Sequence, residues 1–334
     1  MSKIHGHVKK MRTIIYGAGA VGGAVGGHMV VAGKEVVMIG RPGHMNAIRE
    51  HGLRMITPAG THILEVPVYT DPSQVDFRPD DVVFLCVKSQ NTDEALRNLR
   101  AAVGRDDIPI FCFQNGIQNE ETAAKYFKRV YGVRVSAGAV FVKNGEITVR
   151  RSNPTGSLVL GVYPEGTDDL AEAVAESLRD SDYYVPVTPD IKAIKWGKLV
   201  GNLGNAIITI TNVRGGDNEG ILKAAQLEAG EILSKAGIRW IPSKELGRQW
   251  PEVIVEPRYT LTTEAQDSTW QSLARKQPIE TDFINGEIVR LADRLGTKAP
   301  INKKLLDIVL EMAENNELPG KYTPAELLRL VGLE

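Results

Sequence analysis

The stretch that decides the fold is residues 13–41, which read TIIYGAGAVGGAVGGHMVVAGKEVVMIGR. A short apolar run, typical of a buried strand, leads into the pattern Gly17-x-Gly19-x-x-Gly22 and then into a helical segment and a second apolar run. Gly17 permits a tight turn, Gly19 lets the backbone approach a pyrophosphate, and Gly22 allows a helix to pack closely on a strand. The pattern predicts a dinucleotide-binding βαβ unit, and a purely structural glycine turn is the alternative.

Two further features of this stretch indicate which dinucleotide is bound. The phosphates are expected at the positive end of the helix that begins near Ala20 and Val21. A site for NAD places an acidic residue at the end of the second strand, where it binds the ribose 2′-hydroxyl. This chain has Arg41 at that point, and a guanidinium suits a 2′-phosphate. The sequence therefore favours NADP (NADPH) over NAD, with a solvated loop charge as the alternative role of Arg41.

Length and composition limit the class of protein. The chain has 334 residues, 43% hydrophobic and 24% charged, which is typical of a globular protein of two domains. The formal net charge of -1 gives no basic field for nucleic acid or an anionic membrane, and no apolar run is long enough to span a bilayer. Cys86 and Cys112 lie in apolar runs and are interpreted as thiols in a reducing compartment. We expect a cytoplasmic protein without nucleic-acid or membrane partners.

The periodicity of the chain changes at about residue 188. Before it, strand-like runs alternate with amphipathic segments, which predicts an N-terminal Rossmann-like doubly wound α/β domain over residues 11–188, with residues 1–10 as a disordered arm. The strand-like runs are 13–16, 35–39, 82–87, 109–113, 133–142, 146–150 and 157–160, and the last three are expected to form an antiparallel extension of the sheet. Helical spacing follows over residues 189–211, 219–237, 281–296 and 301–314. It predicts an all-helical C-terminal domain over 189–334 for substrate binding and dimerisation.

Histidine usage limits the chemistry of this second domain. All six histidines lie at or before position 62, namely His5, His7, His28, His44, His51 and His62. Imidazole is therefore not available in the helical domain as an acid, a base or a metal ligand. Proton transfer there must use lysine, a carboxyl group or tyrosine, and no metal site is predicted.

One predicted helix carries an unusual polar stripe. At about 100° per residue, Lys198, Asn202, Asn205 and Thr209 fall within a stripe about 60° wide. A lysine with two amides is unusual for a solvated face, which normally mixes acids and bases. The stripe suits a site in which an ammonium group donates a proton and neutral amides orient a polar substrate. A surface lysine is the alternative.

Several short motifs, in their order and spacing, resemble the ketopantoate reductase family (2-dehydropantoate 2-reductase) from Met11 onward. The motifs are GAGAVGG from Gly17, Arg41, Val87-Lys88, Gln114-Asn115-Gly116, Trp196-x-Lys198-Leu199-x-x-Asn202 and Glu280-x-Asp282-Phe283-Ile284-Asn285-Gly286. The resemblance implies reduction of a 2-keto acid by NADPH, with ketopantoate to pantoate, a step of pantothenate biosynthesis, as the first expectation.

The resemblance also implies roles for individual residues. Lys198 is expected to be the general acid, and Lys88 and Asn115 are expected beside the nicotinamide. Glu280 is expected to hold Lys198 or a substrate hydroxyl, although a carboxylate at the start of the helix over 281–296 has a sufficient structural reason in the helix dipole. Ser268 is expected to face the substrate carboxylate, with an N-cap or solvent-facing serine as the alternative.

The remaining amides are assigned to the substrate. Asn202 and Asn115 are expected to position the ketone oxygen, and Asn205 is expected to contact the substrate. For Asn115 the alternative is a tight turn before Gly116, a common place for Asn-Gly.

Three positions depart from the pattern of the family. Ala206 stands where the family has its second asparagine, Ser272 replaces an aspartate, and Gln277 replaces an arginine. Trp270, close to Ser272, suits a pocket for a bulkier or aromatic 2-keto acid. Two alternatives therefore stay open: a reductase of such an acid, and a non-catalytic regulator that binds NADP.

Overall fold

The computed structural model describes residues 11–253 and 267–333, and these form two compact units. Unit 1 comprises residues 11–114, 119–191 and 250–253, and unit 2 comprises residues 115–118, 192–249 and 267–333. The arm expected at residues 1–10 lies outside the described residues. Within the described residues, no helix has the length and apolarity that a membrane crossing requires.

Unit 1 alternates strands with helices. Its strands are β1 (Arg12–Tyr16), β2 (Val36–Ile39), β3 (Leu53–Thr57), β4 (Gly60–Leu64), β5 (Val68–Tyr69), β6 (Asp81–Leu85), β7 (Ile110–Cys112), β8 (Val130–Ser136), β9 (Ala139–Lys143), β10 (Glu146–Val149), β11 (Gly156–Val162) and β12 (Tyr183–Tyr184). Its helices are α1 (Ala20–Val31), α2 (Pro42–His51), α3 (Thr92–Val103), α4 (Gln118–Ala124) and α5 (Asp169–Arg179).

The main sheet of unit 1 has eight strands in the order β12-β11-β8-β7-β6-β1-β2-β5. Strands β5, β2, β1, β6, β7 and β8 run parallel, and β11 runs antiparallel to β8. Every residue of β1 is buried, because separate apolar clusters cover the two faces of the sheet. The Rossmann-like prediction is confirmed, and the carboxyl ends of the parallel strands form one edge, where ligands of such sheets bind.

A second sheet of unit 1 corrects the predicted antiparallel extension. It has four strands in the order β4-β3-β10-β9, so that β9 and β10 do not extend the main sheet. The run 133–142 is not one strand, because the chain turns at Gly138, with φ +57°, between β8 and β9. Of the predicted extension, β11 and the part of the run 133–142 that lies in β8 belong to the main sheet, and of these two β11 is the antiparallel strand.

Helix α1 lies between the two sheets, and glycines on both of its sides explain how. A Cβ on Gly26 would lie 2.9 Å from Ile15 on β1, and a Cβ on Gly23 would lie 2.8 Å from Ile147 on β10. Gly22 and Gly27 repeat the two contacts one turn away, against Ile15 and Met55. The sequence GGAVGG thus places one glycine of each pair against each sheet, and the close packing requires the absence of side chains there.

His28 on α1 makes the stability of unit 1 depend on pH. Its side chain is buried, its Nε2 lies 3.3 Å from the Thr155 hydroxyl, and burial lowers its pKa to about 4. An unfolded histidine has a pKa of about 6.5, so the unfolded state binds more protons between these values and stability falls as the pH drops from 6.5 to 4. Over this whole pH range the difference in pKa corresponds to about 3 kcal/mol. We therefore expect the Tm of His28→Gln to fall less than the Tm of the wild type when the pH is lowered from 7 to 4.5.

Thermal unfolding at the two pH values measures this effect. His51→Gln is the matched control, since His51 is exposed at the end of α2. An equal loss of Tm in the wild type and His28→Gln would contradict the assignment to His28.

Unit 2 is helical. Its helices are α6 (Ile191–Asn202), α7 (Gly204–Thr211), α8 (Glu219–Lys235), α9 (Ser243–Gln249), α10 (Ser268–Ala274), α11 (Asn285–Arg294), α12 (Pro300–Glu314) and α13 (Pro324–Leu330). Two apolar clusters form its core, one around Trp196 and Ile288 and one around Ile210 and Met312. The prediction of a helical C-terminal domain is confirmed.

Two predicted helices are interrupted, which corrects their bounds. The helix over 189–211 breaks at Leu203 into α6 and α7. The helix over 281–296 is a 3-10 turn at Thr281–Phe283 followed by α11, with Ile284 between them at φ -118° and ψ -85°. Both breaks fall beside candidate site residues and change where their side chains lie.

Candidate active site

The glycine turn of unit 1 has the turn expected at Gly17 and the close packing expected at Gly22, and it leaves open space at Gly19. Gly17 has φ +106°, and a Cβ there would lie 2.5 Å from the backbone nitrogen of Val87, at the end of β6. A Cβ on Gly22 would lie 2.4 Å from the carbonyl oxygen of Gly17. A Cβ on Gly19 would meet no atom of the described residues within 4 Å. Two glycines are thus required by the protein's own packing, and the third faces open space where a pyrophosphate fits.

The start of α1 suits an anion. Its N-cap is Gly19, which has no side chain to cap the first turn, and the first turn contains no acidic residue. The backbone N–H groups around Ala20 and Val21 therefore lie at the positive end of a twelve-residue helix without a side-chain acceptor.

Arg41 follows β2 as the N-cap residue of α2 and is exposed. The Gly17 N–H donates to the carbonyl of Ile39, which ties the glycine turn to the end of β2 just before Arg41. Within the described residues the guanidinium of Arg41 makes no hydrogen bond or ion pair. These residues fit a dinucleotide with a 2′-phosphate.

Lys88 lies at the carboxyl edge of the sheet, three residues after the end of β6 and directly before a 3-10 turn at Ser89–Asn91. The amide of Gln114 fixes this segment by donating to the carbonyl of Val87 at 2.8 Å and to the hydroxyl of Thr92 at 2.7 Å. Sequence reasoning quoted Gln114 as part of a motif but assigned it no role. The sequence did contain one indication of a role: Gln114 directly follows the strand-like run 109–113, at the edge of the sheet where ligands bind.

Lys198 and Asn202 lie one turn apart on α6, and both are partly buried. Leu199, Val200 and Leu203 are buried in the core on the other side of the helix. The predicted polar stripe is therefore present on α6. It does not reach Thr209, which is fully buried on α7, whereas Asn205 on α7 is partly exposed.

Asn115 and Glu280 belong to the same unit as Lys198, and shared packing brings their segments together. Ile117, two residues after Asn115, packs on the cluster that contains Trp196 and Ile284. The Gln118 amide also donates to Glu287 on α11. Three segments therefore pack on one apolar cluster: the loop after β7, helix α6 and the segment before α11.

Glu280 does not begin a long helix, which corrects the expectation for this residue. It precedes the 3-10 turn at Thr281–Phe283, and its side chain caps no N–H there. Ile279 beside it packs on the cluster that holds α7 against α10. Stabilisation of Glu280 by the dipole of α11 is therefore not its structural role, because that helix starts five residues later.

Ser268 is the first residue of α10 and is exposed. The N-cap is Asp267, whose carboxylate accepts from the N–H groups of Thr269 and Trp270 at 2.9 Å, so the N-cap alternative for Ser268 is wrong. Burial raises the pKa of Asp267 to about 6. The Trp270 indole donates to Asn212 Oδ1 at 2.8 Å.

Two of the three departures from the family pattern lie on helices, Ala206 on α7 and Ser272 on α10, and Gln277 follows α10. Ser272 donates to the carbonyl of Ser268, and Ala206 is buried in the cluster that also contains Leu273 of α10. Gln277 is exposed. Among the residues that the structure describes, no group of His, Cys, Asp and Glu side chains is arranged to hold a metal ion.

Both parts of the chain match models of one family. Residues 13–165 match the model described as ketopantoate reductase PanE/ApbA, and residues 190–313 match its C-terminal model. The chain belongs to the ketopantoate reductase PanE/ApbA family. It is therefore an oxidoreductase that acts on CH–OH groups, and the resemblance read from the motifs is confirmed.

Similar proteins cover almost the whole chain. A 2-dehydropantoate 2-reductase of Pyrococcus horikoshii is 31% identical over 306 residues, 90% of this chain and 96% of that protein. The crystal structure of a PanE/ApbA family ketopantoate reductase from Ralstonia eutropha JMP134 is 27% identical, covers 92% of this chain and 99% of its own, and has a TM-score of 0.76. A D-mandelate dehydrogenase in complex with NADH and anilino(oxo)acetate shares the fold at 21% identity, with a TM-score of 0.79 over 92% of this chain and 100% of its own.

Proposed function

We propose that the protein reduces a 2-keto acid to the 2-hydroxy acid with NADPH, and that 2-dehydropantoate is its substrate. The observation that carries the proposal is the match to both family models, together with Lys198, Asn202, Asn115 and Glu280 in a single unit. The 31% identical relative named 2-dehydropantoate 2-reductase supports this substrate.

The residues of unit 1 hold the cofactor in this proposal. The N–H groups of the turn Gly17–Gly22 and of Ala20 and Val21 bind the pyrophosphate, and Arg41 binds the 2′-phosphate. Lys88, at the carboxyl end of β6, contacts the ribose and nicotinamide part. The bound dinucleotide supplies the hydride to the ketone carbon.

The residues of unit 2 handle the proton and the substrate. The Lys198 ammonium donates a proton to the ketone oxygen as negative charge develops there, and the amides of Asn202 and Asn115 donate hydrogen bonds to the same oxygen. The Glu280 carboxylate orients Lys198 or accepts from a substrate hydroxyl. Asn205 and Ser268 contact the polar groups of the acid.

A bulkier or aromatic 2-keto acid is the second candidate substrate. Trp270 on α10 and the bound anilino(oxo)acetate of the D-mandelate dehydrogenase motivate it. A panel of 2-dehydropantoate, 3-methyl-2-oxobutanoate, phenylglyoxylate and 2-oxoglutarate, each with NADPH and NADH, tests both candidates. The highest kcat/KM with 2-dehydropantoate supports the first. A preference for phenylglyoxylate replaces it with the second, and binding of NADPH without any turnover would favour a non-catalytic regulator.

Arg41→Asp is expected to shift cofactor preference toward NADH. The new carboxylate repels a 2′-phosphate and accepts a hydrogen bond from a 2′-hydroxyl. The ratio of kcat/KM for NADPH to that for NADH should fall by about tenfold to a hundredfold, the effect of one charge-assisted hydrogen bond. Because Arg41 is the N-cap residue of α2 and aspartate is a favoured N-cap, the variant should fold normally.

Arg97→Asp on the exposed face of α3 is the control for a change of the same charge elsewhere in unit 1. The control should leave the ratio of kcat/KM unchanged. An unchanged ratio in Arg41→Asp as well would remove Arg41 from the cofactor site.

The assembly and location of the protein complete the proposal. We infer a cytoplasmic homodimer, with unit 2 as the dimerisation part. Exposed leucines on unit 2, such as Leu227 at 59% and Leu318 at 66% exposure, support an interface there. Light scattering of the full chain would reveal a monomer if this inference is wrong.

A further inference from the structure

Arg134 on β8 is a buried cation that the proposed reaction does not use. Arg134 is 9% exposed, and its Nη1 is buried without a hydrogen-bond partner among the described residues. Over residues 11–253 and 267–333, no carboxylate forms an ion pair with it. Burial lowers the pKa of Arg134 to about 10, and no neighbouring acid opposes the shift. A buried guanidinium that has no counter-charge among the described residues, and whose Nη1 has no hydrogen-bond partner there, points to a ligand that supplies both.

The sheet places Arg134 at the edge where ligands bind. Following the registers of β8 on β7, β7 on β6 and β6 on β1, Arg134 lies level with Gln114, Val87 and Ala18. Each of these three residues lies two positions after the end of a parallel strand. Arg134 is therefore at the carboxyl edge of the sheet, in the same row as the glycine turn and the Lys88 segment.

The side chain of Arg134 lies on the same face of the sheet as Gly132. Val133 and Val135 alternate with it and enter the core cluster on the other face. Glu120 on α4 is the carboxylate beside Gly132, where a Cβ would lie 3.4 Å from its Oε1. No ion pair joins Glu120 to Arg134, although both are buried on this face.

A second arginine at the same end of β8 adds to the positive charge. Arg151 lies beside Gly138, just after β8, where a Cβ would be 3.6 Å from its Cδ. Burial lowers the pKa of Arg151, again with no acidic neighbour to oppose the shift. Two arginines without carboxylate partners among the described residues make this end of β8 attractive to an anion.

The phosphates expected at α1 are too far away to be that anion. β8 is the third strand from β1, and neighbouring strands lie about 4.7–4.9 Å apart, which gives roughly 14 Å. An arginine side chain does not span that distance. An anion at the end of β8 is therefore a different group from the 2′-phosphate and the pyrophosphate, and it lies three strands away from them along the carboxyl edge.

We propose that Arg134 binds a carboxylate of the 2-keto acid in a buried, bidentate ion pair. The inference rests on the proposed function, which supplies an acid as substrate. The planar fork of a guanidinium matches the two oxygens of a carboxylate, and the shielded position strengthens the pair. Arg134 thus selects acids against neutral ketones of the same shape.

The test compares the wild type with Arg134→Met and Arg134→Lys in the full chain. The substrates are the best acid of the panel, its primary amide, and the dicarboxylate 2-oxoglutarate. In Arg134→Met, kcat/KM for the acid should fall by about 30-fold or more, and kcat/KM for the amide should change by less than about threefold. Arg134→Lys keeps the charge but loses the fork, so its selectivity should lie between the two. Arg129→Met, exposed before the amino end of β8, is the control and should behave as the wild type.

Two measurements separate this role from a structural one. The Tm of ligand-free Arg134→Met should equal or exceed that of the wild type, because the change removes an uncompensated buried charge. Calorimetric titration of the acid into the complex with NADP⁺, which cannot reduce the ketone, should show weaker binding in the variant. Should Arg134→Met fail to fold, the selectivity of Arg134→Lys decides.

The outcomes distinguish this inference from the proposed function. Unchanged selectivity for acid over amide together with unchanged binding of 2-oxoglutarate overturns the role of Arg134, whether or not NADPH binding is weakened. Loss of binding for 2-oxoglutarate alone supports the role and assigns the contact to a second, distal carboxylate. If the wild type reduces no 2-keto acid but binds one through Arg134 in the titration, the proposed function fails and the site stands.

Discussion

Replacing Lys198 with alanine is expected to lower kcat/KM for reduction of the 2-keto acid by about 10²–10⁴-fold, the usual contribution of a general acid. No histidine occurs after position 62 that could replace the ammonium group. The residues that fit the dinucleotide, including Gly19 and Arg41, belong to the other unit. NADPH should therefore bind Lys198→Ala with nearly the affinity of the wild type, as measured by fluorescence titration.

The control for this experiment is Lys192→Ala. Lys192 is an exposed lysine on the same helix, α6, and its replacement should leave kcat/KM close to that of the wild type. Lys195 is unsuitable as a control because it is buried. A Lys198→Ala variant with kcat/KM within about threefold of the wild type would end the assignment of a general acid, whose loss costs far more. Loss of NADPH binding would instead indicate a structural role.

The dinucleotide turn is the part of the molecule that the sequence predicted best. The structure contains the turn expected at Gly17, with φ +106°, and the close packing expected at Gly22. Arg41 is equally local, because it directly follows a strand whose end the sequence marks. Short-range geometry of this kind depends only on residues that are close together in the chain, so one sequence is enough to predict it.

The second sheet was missed because its signals are long-range. β3 and β4 form a hairpin, but β3 also pairs with β10, some ninety positions later in the chain. One local signal was available. Helix α1 has Gly, Ala and Val on every side rather than one polar stripe, and a helix that is apolar all round is covered on all sides. Gly23 and Gly27 could therefore have predicted that a second layer packs on this side of α1.

The catalytic half was predicted in composition but not in detail. Helical spacing runs unbroken through Leu203, and the break there comes from how α6 and α7 pack into different clusters. Because of this break, Thr209 is buried and does not lie on the polar stripe of α6. The partner of Trp270 is Asn212, 58 positions away, and no local pattern announces such a contact. Side-chain partners across a fold depend on tertiary packing, which overrides local periodicity.

Gly19→Ala and Gly22→Ala should separate cofactor binding from folding, although both change one glycine of the same turn. A Cβ on Gly19 meets no described atom within 4 Å, and its φ of -82° suits alanine although its ψ of -148° lies outside the preferred regions, so Tm should fall only slightly. The methyl group would, however, stand where the pyrophosphate approaches the backbone. We expect NADPH affinity to fall by about 1–3 kcal/mol, or roughly 5–150-fold.

In Gly22→Ala the methyl group instead meets the Gly17 carbonyl at 2.4 Å, which is backbone and cannot move aside cheaply. Overpacking of this kind costs about 1–3 kcal/mol or more, so Tm should fall together with NADPH affinity, because the turn itself must shift. Gly220→Ala on α8, also in open space, is the control and should change neither quantity for the worse. If Gly19→Ala binds NADPH as tightly as the control does, the pyrophosphate does not pass over Gly19, and the dinucleotide site must lie elsewhere on the carboxyl edge.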